Sequence, residues 1–110
     1  MKITHKDNYI VLKPEEQDIA EFVKYLTINH SDFKMDNIVI DIIKSDALSQ
    51  QELLLFLKIS KIHRHQKKSF VIVNDSVNLD GIPEELTLVP TLLEAVDIIG
   101  MEELERELGF

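Results

Sequence analysis

The chain has 110 residues, 45% of them hydrophobic, which suits one globular domain with a core of ordinary size. It has no cysteine, so disulfides, thiol nucleophiles and thiolate metal sites are excluded, and a reducing cytosol suits it. The formal net charge of −8 repels a phosphate backbone on average and argues against a nucleic-acid partner.

In chain order, "KIT" and "NYIVL" are β-rich runs divided by the polar turn "HKDN", the pattern of a hairpin. Pro14 stops the second strand, and "EEQD" puts acid at the start of a helix, where it complements the dipole. Ile19, Phe22, Val23 and Leu26 fall at i, i+3, i+4 and i+7, one helical face, and "NHSD" ends the helix. "NIVIDII", residues 37 to 43, is β-branched at five of seven positions with a single charge. Such a strand is predicted at a sheet centre, covered on both faces, and "SFVIV", residues 69 to 73, reads the same way. Roughly eighteen helical residues lie between them, which makes a βαβ unit with a right-handed crossover and parallel strands. A turn at "NLDGIPEE" leads to a short strand, "LTLV". Thr91 caps the helix of "PTLLEAVDII" with Glu94 reaching back, Gly100 ends or bends it, and "MEELEREL" adds a further turn or two. No linker, repeat or low-complexity segment interrupts residues 1 to 110, which read as a single domain.

The opening "MKITHKDNYIVLKPEE" lacks the apolar core of a signal peptide, and the longest apolar run, "LLLFL", is too short to cross a bilayer. The expectation is a cytoplasmic protein with no membrane partner. "LLLFL" wraps most of a helical turn, so a single face cannot hide all five side chains. Leu53, Phe56 and Leu57 are expected in the core, and Leu54 or Leu55 at an interface.

Ser49-x-x-Glu52 just before that run is a capping box, in which serine and glutamate each accept from the other's amide, worth about 1 kcal/mol. Ser49 is thereby read as the peg of a helix. His63 and His65 in "KIHRHQKK" lie two positions apart, so on a helix they point about 200° from each other and cannot chelate one ion. Both are expected on a solvated face. With His5 and His30 the only other histidines, no metal or cofactor is expected. Lys58, Lys61, Arg64, Lys67 and Lys68 complement a helix C-terminus, or form a basic patch for an acidic partner such as a subunit's own "EELERE" tail. There is no glycine-rich phosphate loop and no Ser/His/Asp arrangement, so no enzyme is read from the motifs.

The order β-β-α-β-α-β-α, with its acidic last helix, resembles the STAS domain, the fold of bacterial anti-sigma-factor antagonists and of the cytosolic tails of sulfate transporters. The resemblance covers nearly the whole chain and is best from Asn37 to Val73. It implies an α/β, STAS-like fold, a four- to five-stranded mixed sheet with helices mostly on one face. It also implies a non-catalytic regulatory module that binds another protein; a homodimer stays open. Antagonist-type members carry Asp-Ser-Ser/Ala-Gly at the start of the central helix, and a partner kinase phosphorylates the first serine. The matching residues here are Ser49, Gln50, Gln51 and Glu52, so the acceptor position falls on a glutamine and the phospho-switch is missing. The resemblance places the partner face at Ser49, Gln50, Gln51, Leu54 and Leu55. Small bacterial STAS-like chains of this kind also carry the label ribonuclease Z. That enzyme needs His-x-His-x-Asp-His to hold two zinc ions and activate water, and "HRHQKK" has lysines in place of the Asp and the last His. Two other readings remain: a small enzyme or ligand-binding α/β domain, which a deep pocket with converging titratable groups would favour, and an RNA-associated accessory protein, suggested by that label and the basic cluster.

Overall fold

The computed structural model describes residues 1–43, 49–76 and 80–109. β1 (Lys2–His5) and β2 (Ile10–Lys13) form the expected antiparallel hairpin at one edge. β3 (Ile38–Asp41), β4 (Phe70–Val73) and β5 (Thr87–Val89) follow in chain order, each parallel to its neighbour, to give a five-stranded mixed sheet. β3 and β4 are adjacent, parallel and interior, as their apolar runs predict, with Ile38 opposite Phe70 and Asp41 opposite Val73. The predicted turn at "NLDGIPEE" begins at Asn78 and Leu79, outside the described residues; Gly81 beyond them has φ +84°, which glycine adopts without penalty.

Strand alternation sorts the core by size. Ile10, Leu12, Ile38, Ile40, Phe70 and Ile72 point to one face, where they meet Phe22 and Leu26 of α1 (Ile19–Ile28). Leu53 of α2 (Gln50–Leu54), Ile59 of α3 (Leu57–His65), and Phe56 between the two complete that layer. Val11, Val39, Val71, Val73 and Val89 point to the other face, where only Ala95 and Ile99 of α4 (Leu92–Glu107) are fully buried against them. The expectation of helices mostly on one face thus holds for α1, α2 and α3. α4, the longest at 16 residues, takes the opposite side, because a sheet centre apolar on both faces needs a layer on each. It also continues unbroken through Gly100, where an added Cβ would meet nothing within 4 Å.

The single central helix predicted between β3 and β4 is two helices. The amides of Leu55 and Phe56 bond the carbonyls of Glu52 and Leu53, three residues back, a tight 3-10 junction between α2 and α3. Leu53 and Phe56 are buried there, whereas Leu57, expected in the core, lies half-buried at its rim.

A polar seam at the amino end of β3 and β4 ties α4 to the sheet. The buried Asn37 side chain accepts from the Ser69 amide (2.9 Å) and donates to the Asn8 carbonyl (2.8 Å). Ser69 Oγ donates to Glu102 (2.6 Å), and Arg106 of α4 donates to both Asn37 Oδ1 and Ser69 Oγ (3.3 Å each). Buried groups stripped of partners are costly, about 1–3 kcal/mol each. Asn37→Ala is therefore expected to lower the unfolding free energy by about 3 kcal/mol, read as a lower urea midpoint at unchanged slope. A loss below about 0.5 kcal/mol would show that the seam does not hold the sheet.

Candidate functional site

Ser49 stands at the start of α2 with an extended backbone, φ −89° and ψ 162°. Its Oγ accepts from the Glu52 amide (3.1 Å), and Glu52 Oε1 accepts from the Ser49 amide (3.2 Å) and hydroxyl (3.3 Å). Both halves of the predicted capping box are present. At α4 only one half forms: Thr91 Oγ1 accepts from the Glu94 amide (3.2 Å). The exposed Gln50 turns to the neighbouring loop and donates to the Asp80 carbonyl (2.6 Å). A Cβ on Gly81 would come within 3.2 Å of the Gln50 amide nitrogen, so that glycine makes room for the contact as well as the turn.

Gln51 is exposed beside it, and Leu54 and Leu55 are 41% and 45% exposed while their neighbours Leu53 and Phe56 are buried. The run "LLLFL" divides because the tight junction directs Leu53 and Phe56 inward and leaves the two between them outside. Exposed Lys58, Lys61, Ile62 and His65, spaced i, i+3, i+4 and i+7, continue that surface along α3. The structure brings all five predicted partner-face residues, Ser49, Gln50, Gln51, Leu54 and Leu55, to one end of this helix pair.

The predicted basic patch separates. Lys58 lies in the first turn of α3, away from the C-terminus assumed for it. Lys61 reaches Glu85 at 3.8 Å between two exposed side chains. Arg64 turns inward, where it pairs with Glu102 (3.2 Å) and donates to Thr87 Oγ1 (2.6 Å). It thus meets the acidic "EELERE" segment within its own chain. Lys67 and Lys68 follow α3 and join Arg64, Arg106 and Gly109 around an open pocket of about 380 Å³. Among the described residues no carboxylate or histidine lines it, and it sits where the C-termini of α3 and α4 converge, whose dipoles those cations offset.

A part-buried histidine pair has no counterpart in the sequence motifs. His63, expected on a solvated face, is 0% exposed, and His30 meets it from the 3-10 turn His30–Asp32. His30 Nε2 and His63 Nδ1 are 2.9 Å apart, and His63 Nε2 lies 2.7 Å from the Asp36 carbonyl. A carbonyl only accepts, so His63 carries its proton on Nε2 and accepts at Nδ1 from His30 Nε2. Two histidines far apart in sequence give no local signal; the apolar spacing of Ile59 and Phe56 on the same face of the helix pair was the available hint. Among the described residues no group of three or more His, Cys, Asp or Glu could hold a metal ion. No described helix is long and apolar enough to cross a membrane.

No protein-family model and no curated protein matches the chain.

Loss of the cap should lower stability by about 1 kcal/mol in Ser49→Ala, measured by equilibrium denaturation, with the fold unchanged by circular dichroism. A neutral effect would mean that Glu52 alone suffices at this helix start. The histidine pair gives a second expectation. His63 has its pKa lowered from 6.5 to about 4, chiefly because burial disfavours imidazolium, with the Asp36 carbonyl opposing and His30 adding to the shift. A group with a depressed folded pKa that is charged when protonated leaves stability intact above about pH 6.5. That stability is lost as pH falls toward about 4, by about 3 kcal/mol over the window. Urea titrations at about pH 7 and about pH 4 on wild type and His63→Gln should show the gap between them shrinking by that amount in acid. An unchanged gap would mean that His63 is charged in the fold.

Proposed function

We propose that the chain is a STAS-like, non-catalytic module that binds another protein through the surface at the start of α2 and along α3. The observation that carries this reading is the pair Leu54 and Leu55, exposed between two buried neighbours and next to the polar Ser49, Gln50 and Gln51. Exposed apolar side chains rimmed by polar ones mark interaction sites. The strand and helix order, in a five-stranded mixed sheet with three helices on one face, supports the family likeness. Two features favour a contact without a phospho-switch. Gln50 occupies the acceptor position, and the Ser49 hydroxyl is engaged with Glu52, whose carboxylate opposes a phosphate there. Lys58 and Lys61 beside the leucines favour an acidic partner.

Leu54→Asp tests this reading. A charge placed in a desolvated contact is costly, whereas at an exposed position of the free domain it is tolerated. Affinity capture from the protein's own cells, with wild type and variant compared by mass spectrometry, should show bound proteins lost from the variant while its circular dichroism matches wild type. Unchanged capture by a folded variant would place the docking face elsewhere, and an unfolded variant would return Leu54 to the core.

A further inference from the structure

α4 covers the valine face of the sheet with one side and leaves an apolar stripe on the other. Leu93, Met101, Leu104 and Leu108 recur at helical spacing, and each is between 55% and 72% exposed. Gly100 lies in the same stripe, with nothing near it. Carboxylates surround it: Asp97 within the stripe and Glu94, Glu105 and Glu107 along its borders, all exposed. Among the described residues none of these four carboxylate side chains takes part in an ion pair or a hydrogen bond. Four exposed apolar side chains in one stripe, rimmed by polar ones, are the pattern of a surface covered in use.

The same chain carries a surface of opposite character. On α2 and α3, exposed Leu54, Leu55 and Ile62 are flanked by Lys58 and Lys61, and Lys61 makes a 3.8 Å pair with Glu85 between two exposed side chains. Exposed pairs of that kind are worth about 0–1 kcal/mol and exchange readily. The two helix surfaces lie on opposite faces of the sheet, since α2 and α3 pack on the large-residue side and α4 on the valine side.

We propose that α4 of one copy docks on the α2–α3 surface of a second copy, joining the chains head to tail. This rests on the docking face proposed above and names its occupant. Charge complementarity selects that pairing. Two α4 helices packed about a two-fold axis would set Glu94 and Asp97 against the partner's acidic borders, a like-charge contact that costs stability. Two α3 surfaces would oppose lysines in the same way. Acidic α4 against basic α3 brings apolar stripes together and opposite charges along both rims. Because the joined surfaces differ and lie on opposite faces, the contact is heterologous: a docked pair keeps one free surface of each kind, and assembly continues into chains or rings.

Sedimentation velocity with two variants decides the matter. Wild type should grow in mean size as concentration rises, passing beyond the dimer. Leu104→Asp, which spoils the acidic surface, and Leu54→Asp, which spoils the basic one, should each be monomeric alone. Mixed in equal amounts they should form a one-to-one dimer and stop, because each supplies the surface the other lacks. A wild type that stays monomeric up to about 1 mM overturns the proposal, as does a closed wild-type dimer whose two variants fail to pair on mixing. Circular dichroism establishes that each variant is folded; should Leu104→Asp unfold, Met101→Glu, at a more exposed place in the same stripe, takes its part. A monomeric wild type alongside a Leu54→Asp variant that still loses captured proteins overturns the occupant and leaves the docking face standing.

Discussion

The fold depends on β3 and β4 being apolar on both sides. Ile38, Val39 and Ile40 are buried, as are all four residues of β4, so neither face of the sheet centre can meet water. Burying such strands stabilises by roughly 25 cal/mol for each Å² of apolar surface removed from water, but only if a layer covers each face. The size alternation in the sequence decides how the layers differ. Phenylalanine, leucine and isoleucine on one side need the deep layer of α1, α2 and α3. On the other side valines allow a single helix to approach with only Ala95 and Ile99 fully buried.

That asymmetry explains the polar seam. A helix that buries few side chains is held weakly by apolar contact, and α4 gains its second anchor at the amino ends of the strands. There Ser69 donates to Glu102, and Arg106 donates to Asn37 and Ser69. Arg64 crosses from α3 at the sheet's end to the same glutamate and to Thr87. One ion pair therefore connects the two helical layers. It takes Arg64 out of the basic surface, which leaves Lys58 and Lys61 as the cations of the outer α3 face.

What could be read in the sequence and what could not divide along the range of the signal. Caps and hairpins are local: Ser49 with Glu52, and the "HKDN" turn between β1 and β2, are written in residues a few places apart, and both are as expected. The parallel pairing of β3 and β4 follows from composition plus the crossover between them. The exposure of Leu54 and Leu55 is legible because five consecutive apolar side chains cannot share one side of a helix. The burial of His63 and the inward turn of Arg64 leave no local signal, because their partners lie in other elements, at His30 and at Glu102. A histidine or arginine in a charged run reads as solvated whenever its neighbours in sequence are lysines. The 3-10 junction at Leu55 and Phe56 was hidden for a different reason: a tightened turn keeps nearly the same periodicity as the helix it interrupts.

The placement of α4 has a consequence for how a contact through these surfaces would be controlled. The Ser49 hydroxyl is occupied as a cap, donating to and accepting from Glu52, so a covalent switch there would have to dismantle the helix start it sits on. Binding through Leu54 and Leu55, as proposed, would then respond to concentration, by mass action, in place of phosphorylation. The same reasoning applies to α4. Its inner side is fixed by Ala95, Ile99 and the seam, so its outer stripe cannot turn inward when no partner is present. Leu93, Met101, Leu104 and Leu108 stay in water in the free chain, and the carboxylates around them keep that surface hydrated. An apolar stripe ringed by one sign of charge is soluble alone and selective for a surface of the other sign. With the two kinds of surface carried on opposite faces of one sheet, no copy can bring its own pair together, and the contact proposed between them would join separate molecules.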